Sequence, residues 1–220
     1  MTRVKVCGLT RAEDVRLAAE LGAWAVGFVL AESPRHVVPA QARTLAAEAG
    51  DAITVAVVTT QTAPWIAGAV ATAGLAAVQL SAGADSPSVA DMRAAAAEAG
   101  VEPLVVAAAD TPDAELADLV LLDARAPGNY GGTGRRLDWE RLAADPETPS
   151  RDLVLAGGLT PATVKAAIAT LRPAVVDVSS GVEWVPGIKD AKRLRDFFAA
   201  VEKADKDVTA RDEAARKEAE

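Results

Sequence analysis

The stretch DLVLAGGLTPATVKAAIATLRPAVVDVSSG, residues 152–181, contains the pattern from which the fold can be predicted. An apolar run, DLVLA, is followed by a glycine pair, a segment with helical periodicity and a second apolar run, AVVDVSS. Runs that are apolar on both faces are typical of parallel strands covered by helices, whereas strands with one wet face alternate. The stretch therefore predicts a strand, a helix and a second, parallel strand.

The same unit recurs along the whole chain, with alanine-rich helical segments between the apolar runs. Eight such units predict an α/β fold, a compact (β/α)8 or TIM barrel, since this family of folds has about 250 residues. An open doubly wound sheet is the alternative, but the first turn, CGLTRAED, lacks the Gly-x-Gly-x-x-Gly pattern expected there. The predicted strands are residues 3–7, 24–30, 53–58, 76–80, 103–108, 119–123, 152–156 and 174–180.

The chain divides into two regions that differ in composition and in predicted secondary structure. Residues 1–203 are expected to form a single barrel domain, because all eight predicted strands fall within them. Residues 204–220 are rich in charges and poor in apolar residues, so we expect an extension of the last helix or a frayed tail.

Composition narrows the classes of partner and location. The chain has 220 residues and a formal net charge of -8, which argues against nucleic-acid binding because that requires basic surfaces. It has no signal-peptide pattern and no apolar run of about 18 residues, so a cytoplasmic protein without a membrane partner is expected. One cysteine and one histidine exclude an internal disulfide and a Cys–His zinc site. The sequence does not determine the oligomeric state, for which we prefer a monomer.

Polar residues stand where several predicted strands end, at the face that carries the active site in barrels of this kind. These residues are Cys7, Gln79, Asp123 and Asp177. Alternation along the first strand places Lys5 on the same face as Cys7, where its ammonium would lower the pKa of the thiol and favour a thiolate base. The alternatives are a cysteine that only fills the core and aspartates that only hold loops.

Two glycine-rich stretches follow the last two predicted strands. They are AGGLTPATV, residues 156–164, and SSGVEWVPGIKD, residues 179–190. Backbone amides in such loops, together with a helix N-terminus, bind phosphate in many barrels at this position. Glycine in a turn also has a purely conformational explanation, so position rather than composition carries this prediction.

Several stretches together resemble the phosphoribosylanthranilate isomerase family of tryptophan biosynthesis, from about Val4 to Val201. The stretches that carry the resemblance are KVCGLT, VGFVLAESPRHV, AVQL, LLDA followed by GGTGRRLDW, LAGGLTPATV and VDVSSGVEWVPGIKD. The resemblance implies a ribulose-phosphate-binding barrel that catalyses an Amadori rearrangement of N-(5-phosphoribosyl)anthranilate without a cofactor. The product is 1-(2-carboxyphenylamino)-1-deoxyribulose 5-phosphate.

The resemblance also implies roles for particular residues. Asp123 is expected to be the general acid and Cys7 the general base, while Arg35 binds the anthranilate carboxylate. The phosphate is expected at the two glycine-rich loops, and the remaining substrate contacts are expected from residues near the sugar and the anionic groups. The phosphate-binding candidates are Gly157, Gly158, Ser180 and Gly181, and the other substrate-binding candidates are Lys5, Gln79 and Asp177.

Two positions depart from the family pattern, and they keep alternatives open. Ser81 stands where the family commonly has histidine, and the third strand ends with Val58 and Thr60 rather than phenylalanine and asparagine. Both changes bear on substrate positioning. The alternatives are a related phosphosugar isomerase, either of the histidine pathway or bifunctional, and a non-catalytic phosphate-binding barrel. Both kinds of related isomerase use aspartate where Cys7 stands, so the cysteine argues against them.

Overall fold

The fold is described from a computed structural model, which covers residues 1–123, 138–145, 148 and 152–218. Three parts of the sequence predictions lie outside the described residues. These are Ala124 of the LLDA stretch, residues 131–137 of the GGTGRRLDW stretch and the last two residues of the 204–220 segment.

Eight parallel strands form a closed barrel in chain order, because β1 pairs with both β2 and β8. Every strand lies within one of the eight predicted runs, so the barrel prediction is confirmed and the open sheet is wrong. The strands are β1 (Arg3–Cys7), β2 (Ala25–Val29), β3 (Ile53–Val58), β4 (Ala77–Leu80), β5 (Leu104–Ala108), β6 (Leu119–Leu122), β7 (Leu153–Leu155) and β8 (Val175–Val178).

Helices cover the outside of the barrel. Between β5 and β6, the chain makes a short 3₁₀ turn (Ala114–Leu116) instead of a full helix. The helices are α1 (Ala12–Glu20), α2 (Pro39–Ala46), α3 (Ala63–Ala73), α4 (Val89–Glu98), α5 (Trp139–Ala144), α6 (Val164–Leu171) and α7 (Ala191–Glu218).

Side chains of each strand alternate between two cores. Val4 and Val6 of β1 belong to the large core between strands and helices. Cys7 belongs instead to a smaller cluster inside the barrel, with Ala25 and Val55. Because the period of a strand is two residues, Lys5 shares the interior side with Cys7. The apolar residues of β1 thus pack against the helices, and its polar residues face the barrel interior.

A two-stranded hairpin follows β8 and lies beside the end of β1. It consists of β9 (Glu183–Val185) and β10 (Ile188–Lys189), which are antiparallel. Gly187 in the turn has a φ of 84°, a left-handed conformation that suits glycine. The hydroxyl of Thr10 donates to the carbonyl oxygen of Gly187 over 2.5 Å, which fixes the hairpin to the loop after β1.

The last helix, α7, has 28 residues and continues past the barrel to Glu218. Asp205 on α7 accepts hydrogen bonds from the backbone and hydroxyl of Thr2, each 2.7 Å long. The division into a barrel domain over residues 1–203 and a separate segment over 204–220 stays a prediction. Among the described residues, no helix combines the length and the apolar character needed to cross a membrane.

Candidate active site

A buried ion pair lies at the centre of the candidate site, inside the barrel. The Nζ of Lys5 on β1 donates to Oδ2 of Asp177 on β8 over 2.6 Å, and the two residues face each other in the strand register. Their side chains are only 1% and 5% exposed. Burial of the ammonium acts to lower its pKa, but the charges of Asp177 and Cys7 outweigh it, so the pKa of Lys5 lies above its ordinary value. Lys5 is therefore a permanent cation beside the thiol.

Cys7 ends β1 and is buried two residues beyond Lys5. Burial raises the pKa of the Cys7 thiol, and Lys5 opposes this effect through its charge and a hydrogen bond. Asp177 adds to the rise, and the pKa lies above the ordinary value of a thiol. The sequence prediction that Lys5 lowers this pKa is correct for the pairwise effect but wrong for the net shift, because it left out desolvation.

Gly27 on β2 provides the space that Lys5 and Cys7 occupy. A Cβ built on Gly27 would lie 3.2 Å from Sγ of Cys7 and 3.3 Å from Nζ of Lys5. These distances are shorter than ordinary van der Waals contacts. A side chain at position 27 would therefore press on both functional atoms.

Asp123 directly follows β6 and is half-buried. Leu119 and Leu121 of β6 belong to the apolar cluster inside the barrel. Alternation continues this inner series to Asp123, at the carboxyl end of the strand. Strands β1 and β6 are three positions apart around the ring, so Cys7 and Asp123 approach the mouth of the barrel from different sides.

Gln79 and Asp177 each have a buried oxygen atom that accepts no hydrogen bond from the described residues. Gln79 on β4 donates from Nε2 to the hydroxyl oxygen of Ser81 over 3.0 Å. Its Oε1 and the Oδ1 of Asp177 are buried and have no hydrogen-bond partner among the described residues. An unsatisfied buried acceptor is costly, which makes both atoms suited to a polar ligand.

Arg35, in the loop after β2, forms a bidentate ion pair with Glu183 of the hairpin. Its Nε and Nη2 donate to the two carboxylate oxygens over 2.9 and 2.7 Å. Lys189 donates from Nζ to the same carboxylate over 2.8 Å and to the carbonyl oxygen of Cys7 over 2.6 Å. Burial acts to raise the pKa of Glu183, but Arg35 and Lys189 outweigh it and hold that pKa below its ordinary value.

The predicted phosphate loops, after β7 and β8, lie against each other. Gly157 and Gly158 have φ values of 84° and 66°, which L side chains rarely adopt. A Cβ on Gly181 would overlap the carbonyl oxygen of Leu159, so this position is closed to any side chain. Ser180 starts the 3₁₀ turn that contains Gly181. The four phosphate-binding candidates are thus brought together at one edge of the mouth.

Glu183 and Lys189 were not among the candidates from the sequence, although both lie within the SSGVEWVPGIKD stretch. Two signals could have found them. The Pro–Gly pair at 186–187 predicts a tight turn, and charged residues on both sides of such a turn face each other in a hairpin. Their contacts with Arg35 and the backbone of Cys7 span 148 and 182 residues of sequence and have no local signature.

Comparison with known proteins identifies the family. The family model for N-(5'-phosphoribosyl)anthranilate (PRA) isomerase matches residues 4–200. A protein of this name from Geobacter sulfurreducens is 40% identical over 208 residues, which are 90% of this chain and 97% of the relative.

Solved structures agree with that match. The phosphoribosyl anthranilate isomerase of Thermotoga maritima is 32% identical, with a TM-score of 0.76 over 92% of this chain and 100% of that one. A second phosphoribosyl anthranilate isomerase was solved with reduced 1-(o-carboxyphenylamino)-1-deoxyribulose 5-phosphate. It is 30% identical, with a TM-score of 0.72, and covers 92% of this chain and 100% of its own. The fold, the sequence and the shared length together show that this chain belongs to the N-(5'-phosphoribosyl)anthranilate isomerase family.

Proposed function

We propose that this enzyme converts N-(5-phosphoribosyl)anthranilate into 1-(2-carboxyphenylamino)-1-deoxyribulose 5-phosphate, a step of tryptophan biosynthesis. The single observation that carries the proposal is the position of Cys7. In a chain of this family, the one thiol faces the barrel interior beside a buried ammonium. The rearrangement moves protons between oxygen and carbon, so it needs an acid and a base but no redox chemistry.

The first half of the reaction opens the sugar ring. Asp123 in its protonated form donates to the ring oxygen, the bond between that oxygen and C1 breaks, and the nitrogen lone pair forms a Schiff base with C1. Asp123 suits this role because it ends an inner-facing series on β6, away from β1. The positively charged Schiff base then makes the hydrogen on C2 acidic.

The second half moves the proton from C2. Cys7, as the thiolate, removes this proton, becomes the thiol and leaves an enolamine. The enolamine takes a proton at C1 and loses the proton of its C2 hydroxyl, which gives the ketone. Lys5 stabilises the thiolate by its charge, and its own carboxylate partner, Asp177, keeps the ammonium in place. Burial favours this neutral thiol. The next turnover requires the thiol to lose its proton again and Asp123 to regain one.

Binding is expected to divide the substrate among separate groups. Arg35 suits the anthranilate carboxylate, because guanidinium groups bind carboxylates with two parallel hydrogen bonds. Backbone amides around Gly158 and Gly181 suit the phosphate. The unpartnered acceptor atoms of Gln79 and Asp177 suit the hydroxyl groups of the sugar.

The decisive experiment measures the fluorescence of freshly made N-(5-phosphoribosyl)anthranilate as it is consumed. We expect Cys7→Ala and Asp123→Asn each to lower kcat by about 10²- to 10⁴-fold, the usual contribution of a general acid or base. Asp51→Asn, an exposed change at a loop of the barrel, is the matched control and should keep wild-type kinetics. A folded variant of Cys7 or Asp123 with the wild-type rate would contradict the assigned role.

Location and assembly belong to the same proposal. We place the enzyme in the cytoplasm, in accord with a single cysteine that needs no oxidising compartment. We propose that it acts as a monomer on its small-molecule substrate.

A further inference from the structure

Three ionised side chains are buried together between the hairpin and the end of β1. The side chains of Arg35, Glu183 and Lys189 are 15%, 4% and 0% exposed. Buried charges carry a large desolvation cost unless they are fully paired and hydrogen-bonded. Glu183 and Lys189 have no part in the proposed chemistry, so their costly burial calls for another explanation.

The carboxylate of Glu183 is fully used. One oxygen accepts from Nη2 of Arg35, and the other accepts from Nε of Arg35, from Nζ of Lys189 and from the backbone N–H of Gly187 over 3.2 Å. A carboxylate that accepts several charge-assisted hydrogen bonds is held in one orientation. The guanidinium that it binds is therefore held in one orientation too.

Glu183 occupies one particular edge of the Arg35 guanidinium. It takes the edge formed by Nε and Nη2, which leaves the edge formed by Nη1 and Nη2 for a second carboxylate. No hydrogen bond to Nη1 is found among the residues that the structure describes. The stem of Arg35 lies directly against Gly8, where a Cβ would come within 2.5 Å of its Cδ.

The same cluster is connected to the catalytic strand. Lys189 donates to the backbone carbonyl oxygens of Cys7, over 2.6 Å, and Ser179, over 3.2 Å. The cluster therefore joins the end of β1, which carries the proposed base, to the loop after β8, which carries the proposed phosphate site. Burial lowers the pKa of Lys189, and the carboxylate of Glu183 opposes this effect. In its ammonium form, Lys189 gives the cluster two cations and one anion, a net positive charge that suits an anionic substrate.

We propose that Glu183 is a positioning residue that sets specificity for the aryl carboxylate of the substrate, by directing the free edge of Arg35 toward it. The inference rests on the proposed function, since it takes Arg35 as the carboxylate-binding group. Lys189 supports Glu183 by supplying the second cation and by fixing the hairpin to the carbonyl of Cys7.

The test compares two substrates in two variants. The substrates are N-(5-phosphoribosyl)anthranilate and N-(5-phosphoribosyl)aniline, which lacks the carboxylate. Glu183→Gln keeps the size of the side chain but replaces one carboxylate oxygen by an N–H₂ group, so Arg35 loses one of its two hydrogen bonds and the opposing charge. Glu32→Gln, an exposed change in the same loop as Arg35, removes one negative charge without touching the cluster and is the control.

For Glu183→Gln, we expect KM for the anthranilate substrate to rise about 10- to 100-fold, the usual effect of losing a hydrogen bond to a charged group. The kcat should change less than about threefold, and KM for the aniline substrate should stay unchanged. Glu32→Gln should match the wild type with both substrates. The penalty for removing the substrate carboxylate should therefore shrink in Glu183→Gln alone.

Equal losses on both substrates would overturn the inference, because a merely structural role affects them alike. If Glu183→Gln does not fold, Glu183→Asp decides. Its carboxylate is retained but withdrawn by one methylene, so KM should rise for the anthranilate substrate only, and equal effects would again overturn the inference.

Failure of the proposed function is distinguished by the wild-type protein. If it does not turn over the anthranilate substrate, calorimetry with reduced 1-(o-carboxyphenylamino)-1-deoxyribulose 5-phosphate and its counterpart without the carboxylate replaces the kinetics. A carboxylate-dependent loss of affinity in Glu183→Gln then supports the inference although the proposed reaction fails. Equal affinities in wild type and variant would overturn it.

Discussion

Cys7 combines two opposing influences on one sulfur atom. Burial favours the neutral thiol, while the ammonium of Lys5 favours the thiolate. Because burial is the larger influence, the thiol of the unliganded protein stays protonated further into the alkaline range than a free cysteine. The base form is therefore a minor population at neutral pH, and the rate of the proposed reaction should depend on it.

This balance predicts that the Cys7 thiol titrates in the alkaline range. We expect the thiolate of Cys7 to form only above the ordinary thiol pKa of about 8.5. Since the chain has one cysteine, the ultraviolet absorbance of the thiolate, taken as the difference between wild type and Cys7→Ser, reports this residue alone. A thiol midpoint below 8.5 would contradict the structure.

At the scale of elements, the pairing of β1 with β8 is distinguished by its buried ion pair. Lys5 and Asp177 lie opposite each other in the register and are almost fully enclosed. Removing one partner of such a pair leaves an uncompensated charge in the interior, whereas removing both leaves a neutral core. The pair therefore contributes more to the site than to the net stability of the barrel.

This asymmetry gives a prediction for unfolding by urea. Lys5→Met should lower the free energy of unfolding by about 3–5 kcal/mol, and the double variant Lys5→Met/Asp177→Val should recover most of the loss. Lys206→Met breaks an exposed ion pair with Glu202 and should change stability by less than about 1 kcal/mol. A double variant as unstable as Lys5→Met would show that the strands need the charges themselves.

The elements also show what the sequence could and could not predict. Strand β3 has the predicted bounds, 53–58, and β2 is one residue shorter at each end than the predicted run. Continuous apolar runs can be recognised in the sequence as buried parallel strands, because both faces of such a strand are covered. Contacts between residues that are distant in sequence have no such local pattern, so the ion pair between Arg35 and Glu183 could not be predicted. The net pKa shift of Cys7 was missed for a related reason, since the degree of burial is a property of the packed barrel.

At the scale of the whole molecule, α7 does more than cover the last strand. Beyond the barrel, its charged side chains bind the residue that precedes β1 and residues in or just after α6. Asp205 holds Thr2, while Asp207 and Asp212 pair with Lys165 and Arg172 over 2.6 and 2.7 Å. The exposed pairs contribute little individually, but the carboxylate bound to Thr2 has two hydrogen bonds and is partly buried.

Truncation separates these contributions. Deleting residues 205–220 should lower the free energy of unfolding by about 2 kcal/mol, because hydrogen bonds to a charged group are worth about 1.5–3 kcal/mol. The kcat should not change, since no candidate site residue lies in the deleted segment. Deleting residues 213–220 keeps all three contacts of Asp205, Asp207 and Asp212, and it should leave stability within about 0.5 kcal/mol of wild type. Equal stability of the two truncated proteins would contradict the role given to Asp205.

The pairing of the first and last barrel strands also determines when the site can form during translation. Lys5 is synthesised 172 residues before its counter-ion Asp177. At about 5–20 residues per second, the nascent chain spends roughly ten to thirty seconds with that ammonium unmatched. During this interval Lys5 has to stay hydrated, and Cys7 has neither its hairpin neighbours nor its pocket. The site therefore forms in one late step, when translation has delivered the final strand and the ring can close.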